Sequence, residues 1–161
     1  GFYAWANNMS SRQQVAGTVS QRDGFRDNTT WAQNALNSGK ENGAFVEVNP
    51  LPINLELLRR GEQRYGIYCT PCHGALADGN GVTKKLGMTT VANLQDQRIL
   101  RMADGEIFQT VSYGKNTMLG YAAQVSAEDR WAIIAYLRAL QLSRLGVESE
   151  VPPPVLQTLK K

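Results

Sequence analysis

The feature that most constrains this chain is a five-residue window, Cys69-Thr70-Pro71-Cys72-His73. It holds both cysteines and the only histidine of a 161-residue sequence. Two cysteines are too few for a disulfide scaffold. A tetrahedral zinc site would need further cysteine or histidine ligands, which the sequence does not supply. Chemistry that depends on thiols or an imidazole is therefore confined to this window.

The C-x-x-C-H spacing is typical of covalent haem attachment. Two thiols one helical turn apart can each add to a vinyl group of a haem, and the adjacent His73 then offers a ring nitrogen to the iron. The alternatives are a redox dithiol, half of a metal site and a structural disulfide. A redox dithiol is expected in a βαβ setting, whereas the segment before the window is predicted to be helical. A disulfide would leave His73 without a role. The spacing predicts one haem c held by Cys69, Cys72 and His73.

The chain divides into a polar arm at residues 1–50, a haem domain at 51–142 and a proline-containing tail at 143–161. The arm is rich in Asn, Gln, Ser, Thr and Gly, and it is either a disordered leader or an extended strand lying on a partner. One short helix is predicted in it, from Thr30 to a stop at Gly39. Three consecutive prolines predict an extended tail.

The haem domain shows the pattern of an all-α fold. Asn54 is a predicted N-cap for the first helix, and Ser126 opens a capping box before the last. Gly61 inside the first helix indicates close approach of another helix, because glycine is otherwise unfavourable there. Loops are predicted at 74–93 and 114–125. The predicted helices lie at about 54–68, 94–102, 105–113 and 127–142.

The iron needs a ligand opposite His73, and a second histidine is excluded within this sequence. A methionine thioether is the alternative. Met118 is the predicted ligand because it lies in a long glycine-flanked loop that can wrap the far side of a haem, and Met88 is the second choice. Met9 lies in the polar arm, and Met102 is interpreted as core filling. Iron coordinated by His73 and Met118 has no vacant position, which favours electron transfer over catalysis.

Two segments resemble the class I cytochromes c. Residues 60–74 resemble that family's first helix and haem site, and residues 121–141 resemble its closing loop and helix. The resemblance implies an all-α class I cytochrome c fold in which the first and last helices cross and the haem lies between them. It also implies haem-based one-electron transfer by an electron carrier, with no catalytic residues.

The family's helix crossing would place Gly61 and Tyr65 against Ile133 and Tyr136. Two departures stand out. Leu119 follows Met118 where the family usually has proline. No proline occurs between Pro71 and Pro152, so another backbone carbonyl, expected around residues 88–91, must orient the ring of His73.

A closer resemblance is to the monohaem cytochrome c subunit of bacterial alternative complex III. It is carried by residues 138–141 and by the arm segment 11–19. It implies a subunit of a membrane quinol-oxidising respiratory or photosynthetic complex, with a multihaem cytochrome and a downstream electron acceptor as partners. The expected location is the periplasm or the outer face of the cytoplasmic membrane, reached after removal of a signal sequence. Attachment there would come through partners or a lipid anchor.

Three alternatives remain open at this stage. One is a free or tethered cytochrome c that donates electrons to a terminal oxidase or a photosynthetic reaction centre. Another is a haem enzyme or sensor whose methionine ligand dissociates. The third is a binding module without haem.

Charge gives a weaker indication of partners. With 17 basic and 14 acidic residues the net charge is +3, which does not favour nucleic acid as a partner. No apolar run approaches the ~18 residues of a membrane span.

Three lysines are expected near the haem edge, where they form either a solvated rim or a docking site for an acidic partner: Lys84, Lys85 and Lys115. Four residues are candidate partners of the haem propionates: Arg98, Arg101, Tyr113 and Trp131.

Overall fold

The computed structural model describes residues 34–146 and 151–159, and helices dominate them. The helices are α1 (Ala35–Ser38), α2 (Leu55–Tyr68), α3 (Thr70–His73), α4 (Val82–Lys85), α5 (Gln97–Leu100), α6 (Asp104–Tyr113), α7 (Ala127–Leu145) and α8 (Pro153–Leu159). Two short antiparallel hairpins pair β1 (Lys40–Glu41) with β2 (Ala44–Phe45), and β3 (Gly114–Lys115) with β4 (Met118–Leu119). The all-α prediction is confirmed. No helix within the described ranges is long and apolar enough to cross a lipid bilayer.

The two long helices begin at the predicted caps. The Asn54 side chain accepts a hydrogen bond from the Leu57 N–H at 2.8 Å, and the Ser126 hydroxyl accepts one from the Asp129 N–H at 3.2 Å. Each cap satisfies a donor that a helix start leaves without an intrahelical partner. α7 continues three residues beyond its predicted end, to Leu145.

Helices α2 and α7 cross at Gly61. A Cβ atom at this position would lie 2.0 Å from the Ala132 carbonyl oxygen and 2.8 Å from the Tyr136 Cβ. The Tyr65 and Tyr136 rings meet beside the crossing with centroids 5.6 Å apart. The predicted close approach is confirmed, but the residue directly opposite Gly61 is Ala132 and not Ile133. Ile133 lies in the buried core with Tyr65.

Residues 34–49, which the sequence assigned to the polar arm, pack against α6 and α7. The indole N–H of Trp131 donates to the Leu36 carbonyl at 2.6 Å, and the Asn49 amide donates to the Trp131 carbonyl at 2.8 Å. The Gly105 N–H at the start of α6 donates to the Val46 carbonyl at 2.9 Å. This segment therefore satisfies polar groups of the haem domain.

The short helix predicted before Gly39 is present at its C-terminal end. Gly39 is the C-cap, with φ +70°, and Asn34 is the N-cap, so α1 is shorter than predicted. Thr30 lies outside the described residues. The extended tail is wrong for Pro153–Leu159, which form α8. Proline is tolerated in the first turn of a helix because its missing N–H would have no intrahelical partner there.

The two predicted loops each contain a short regular element. Val82–Lys85 form one helical turn, α4, within the loop at 74–93. Met118 lies on β4 of a two-stranded hairpin within the loop at 114–125. The helix predicted at 94–102 is confined to Gln97–Leu100, whereas α6 begins one residue before its predicted start.

We expect the substitution Gly61→Ala to lower the free energy of unfolding by about 2–3 kcal/mol, because the new methyl group meets backbone atoms of α7 that cannot rotate away. Urea unfolding followed by circular dichroism measures the change. Gly66→Ala is the matched control, because Gly66 lies on the same helix and a Cβ atom there would have nothing within 4 Å. It should stabilise α2 by up to ~1 kcal/mol. Equal effects of the two substitutions would contradict the tight crossing.

Candidate functional site

The C-x-x-C-H window forms a helical turn at the end of α2. The Cys69 N–H donates to the Tyr65 carbonyl at 2.9 Å, and the His73 N–H donates to the Cys69 carbonyl at 2.8 Å. Pro71 lies in the first turn of α3, where it displaces no hydrogen bond. Neither thiol forms a disulfide. Because the window is helical, Cys69 and Cys72 lie about one turn of helix apart.

The following loop closes over the back of this turn. The Gly81 N–H donates to the Cys72 carbonyl at 3.1 Å, and the Gly79 N–H donates to the His73 carbonyl at 2.8 Å. A Cβ atom at Gly81 would lie 2.2 Å from the Pro71 carbonyl oxygen. The loop can therefore satisfy the carbonyls of the motif only because residue 81 is glycine.

The environment of Cys69 argues against the redox-dithiol alternative. Burial raises the pKa of the Cys69 thiol to about 12, and the neighbouring Cys72 adds to the increase. Thiol–disulfide exchange needs a thiolate attacking group. A buried thiol with a raised pKa is therefore poorly suited to that exchange.

The His73 ring is oriented by a backbone carbonyl. Its Nδ1 lies 3.0 Å from the Ala92 oxygen. Because a carbonyl only accepts, Nδ1 carries the proton and Nε2 keeps a lone pair for a metal ion. Burial lowers the pKa of His73 below its ordinary value, and the bond to Ala92 opposes part of that shift. A backbone carbonyl around residues 88–91 was predicted in place of the missing proline, and it is that of Ala92, one residue beyond that range.

An apolar cavity of about 70 Å³ opens beside the turn. It brings together three of the four predicted haem-binding residues, Cys69, His73 and Met118, and Cys72 lies on the same turn outside the lining. The lining residues are Tyr65, Cys69, His73, Leu94, Ile99, Met102, Ile107, Thr110, Val111, Met118, Ile133, Ile134 and Leu137.

The methionines differ in their relation to this cavity. Met118 and Met102 both line it. Met88 is 47% exposed and is not part of the lining, and Met9 lies outside the described residues. The Met102 sulfur lies 4.0 Å from a guanidinium nitrogen of Arg98.

Polar side chains of α7 hold the cavity wall from behind. Arg138 Nε donates to the Asp104 carboxylate at 2.7 Å, and a terminal nitrogen of the same guanidinium donates to the Met102 carbonyl. Gln141 donates to the Leu94 carbonyl at 2.7 Å. These bonds fix Leu94 and Met102 at the cavity, so the segment 138–141 has a structural role at the site.

The structure contradicts one of the predicted propionate partners and shows what two of the three rim lysines contact. The prediction for Trp131 is wrong, because its side chain is fully buried and its N–H already bonds to the Leu36 carbonyl. Arg98, Arg101 and Tyr113 stay predictions. Lys115 pairs with Glu106 at 3.4 Å, whereas Lys84 donates to the Asn80 side chain at 2.6 Å. Lys85 is exposed.

Sequence reasoning missed two kinds of site residue. The first is the α6 face formed by Ile107 and Val111, which lines the cavity. Their four-residue spacing on a predicted helix was the available signal. The second is Ala92, whose contribution is a backbone oxygen and therefore leaves no mark in the residue type.

The residues present fit a covalently attached haem. The apolar lining of the cavity suits the face of a macrocycle, a neutral imidazole with a free Nε2 suits the iron, and the two free thiols stand at the spacing that thioether attachment needs. Within residues 34–146 and 151–159, no group of three or more His, Cys, Asp and Glu side chains is arranged to hold a metal ion by itself.

Residues 56–137, about half of the chain, match a protein-family model described as cytochrome c oxidase, cbb3-type, subunit III. The match runs from α2 into α7, so it includes the C-x-x-C-H turn and Met118. The chain belongs to this family. It is a class I c-type cytochrome with covalently bound haem c, and it acts in electron transport as a carrier. No curated protein matches the chain in a sequence search.

We expect Arg138→Met to lower the free energy of unfolding of this cytochrome by about 2–4 kcal/mol, since it leaves the mostly buried Asp104 carboxylate unpaired. Arg60→Met is the control, because its pair with Asp129 is exposed and Arg64 also contacts that carboxylate. An exposed pair is worth less than ~1 kcal/mol. Urea unfolding of the haem-loaded protein measures both, and equal losses would contradict the supporting role of Arg138.

Proposed function

We propose that this cytochrome transfers single electrons through one haem c with His73 and Met118 as axial ligands. The observation that carries the proposal is that both side chains line one apolar cavity beside the two thiols. When bound, the haem supplies a one-electron couple whose potential depends on its axial ligands and burial. The chain's own part is to present a nitrogen and a thioether and to exclude water with apolar walls.

The surroundings of the two cavity-lining methionines favour Met118 over Met102. The Met102 sulfur faces the Arg98 guanidinium at 4.0 Å, and its carbonyl is bound by Arg138, so it is held as part of the wall. Met118 lies on a hairpin strand that comes from a different part of the chain than His73. Met102 also lies on an element separate from His73, so the contacts that hold Met102 in the wall are what distinguish the two methionines.

We further propose that the cytochrome is a subunit of a membrane quinol-oxidising complex, alternative complex III, in the periplasm or on the outer face of the cytoplasmic membrane. The support is the arm segment 11–19 and the segment 138–141, both similar to the monohaem subunit of that complex.

A second candidate is a free or tethered cytochrome c that donates electrons to a terminal oxidase. The description of the family model supports a link to a terminal oxidase, because it refers to a subunit of a cbb3-type cytochrome c oxidase. The chemistry of the haem site is the same in both cases. The two candidates differ in the partners that remain bound to the cytochrome.

The ligand assignment predicts a distinct effect of Met118→Ala. The oxidised protein should lose its near-infrared iron–thioether band. Its midpoint potential should fall by about 0.1–0.3 V, a part of the ~0.8 V range that axial ligands span. Met102→Leu is the matched control and should keep the band and the potential. Loss of the band in Met102→Leu with retention in Met118→Ala would overturn the assignment.

The complex assignment predicts stable partners. Purification of the tagged full chain from its native membranes in mild detergent should recover a multihaem cytochrome and an iron–sulfur subunit in stoichiometric amounts, as shown by mass spectrometry and haem staining. Recovery with oxidase subunits would favour the second candidate. Recovery as a monomer would contradict membership of a quinol-oxidising complex.

A further inference from the structure

Met118 is carried by a closed loop, residues 114–121, which we name the strap. It leaves α6 at its C-terminal end and returns to the same end. There the Tyr121 N–H donates to the Val111 carbonyl at 2.8 Å, and the Ala122 N–H donates to the Ser112 carbonyl at 3.2 Å. The base of the strap is thus hydrogen-bonded to the last turn of the helix that lines the cavity.

Two glycines allow the strap to close tightly. Gly114 has φ +84°, and a Cβ atom there would lie 2.3 Å from the Met118 carbonyl oxygen. A Cβ atom at Gly120 would lie 2.5 Å from the Ser112 carbonyl oxygen. Both contacts are with backbone atoms, so a side chain at Gly120 forces the strap away from α6, and one at Gly114 forces the two strands of the strap apart.

The base of the strap is in turn fixed to α7 through Ser112 and Arg130. Ser112 is 3% exposed, and its hydroxyl donates to the Phe108 carbonyl at 2.6 Å and accepts from the Arg130 guanidinium. Arg130 is 6% exposed, lies 4.5 Å from the centre of the Phe108 ring and donates to the Ser126 carbonyl at 3.4 Å. Ser112 receives the strap through its backbone carbonyl. Its hydroxyl is in turn bound by Arg130, a buried cation in the first turn of α7.

We propose that Ser112 and Arg130 are positioning residues that hold the strap closed and so keep the Met118 thioether in place against competing ligands. The inference rests on the proposed ligation by Met118. An outside ligand can bind only when the strap is open, so its apparent affinity is proportional to the open fraction. Loss of a buried hydrogen bond to a charged group raises that fraction by about tenfold.

Imidazole binding to the oxidised haem-loaded cytochrome tests this inference, with the iron–thioether band as the readout. Ser112→Ala should lower the imidazole Kd by up to about tenfold, since the last turn of α6, whose carbonyls hold the strap, loses its bond to Arg130 on α7. Gly120→Ala should lower it as well, because it moves the strap itself. Asn49→Ala is the control: it removes the hydrogen bonds of the Asn49 side chain to the Trp131 carbonyl and from the Leu51 N–H, neither of which involves the strap, and it should leave the Kd unchanged.

The outcomes separate this inference from the function on which it rests. If the wild-type protein lacks the iron–thioether band, ligation by Met118 fails and the inference fails with it. If the band is present but Ser112→Ala leaves the imidazole Kd unchanged, or changes it no more than Asn49→Ala, only the positioning role is overturned. A lower Kd in both strap variants and an unchanged Kd in the control supports it.

Discussion

The contact between α2 and α7 at Gly61 is the constraint on which the haem site depends. With the Ala132 carbonyl 2.0 Å from the position of a Gly61 Cβ, the two helices touch through their backbones. α2 ends directly at the C-x-x-C-H turn, so its position on α7 determines where Cys69 and His73 stand. α7 in turn supplies Ile133, Ile134 and Leu137 to the same cavity.

The other sides of α7 organise the remaining walls. Arg138 and Gln141 bind the segment that carries Leu94 and Met102. Trp131 is stacked on Phe108 with centroids 4.4 Å apart, and it forms hydrogen bonds with Leu36 and Asn49 of the segment 34–49. α7 therefore contacts α2, α6, residues 34–49 and the segment that carries Leu94 and Met102. The polar bonds act at a distance from the cavity, and its interior stays apolar, which favours a buried haem and an iron protected from water.

Much of this was predictable from residue types. The C-x-x-C-H spacing carries its chemistry in the sequence, and caps such as Asn54 and Ser126 mark helix starts through local hydrogen bonds. Gly61 indicated a close helix contact because glycine is costly inside a helix. The partner Ala132 was not predictable, since one residue of register along α7 depends on how the whole interface packs.

The features that sequence could not show depend on backbone groups or on distant contacts. Ala92 orients His73 through a carbonyl that every residue possesses. The attachment of residues 34–49 depends on the Leu36 carbonyl meeting an indole 95 positions away. Trp131 looked like a propionate partner because its residue type suits one, but its N–H is used inside the fold. Three prolines suggested an extended tail, yet a helix can begin with proline.

The central claim is that one haem is covalently bound through both Cys69 and Cys72. Intact-mass spectrometry of the denatured protein, after acid–acetone extraction and treatment with a thiol-alkylating reagent, tests it most directly. The account predicts a mass equal to one chain plus one haem, with no alkyl group added, because both sulfurs are in thioether bonds. A chain without haem that carries two alkyl groups would contradict it.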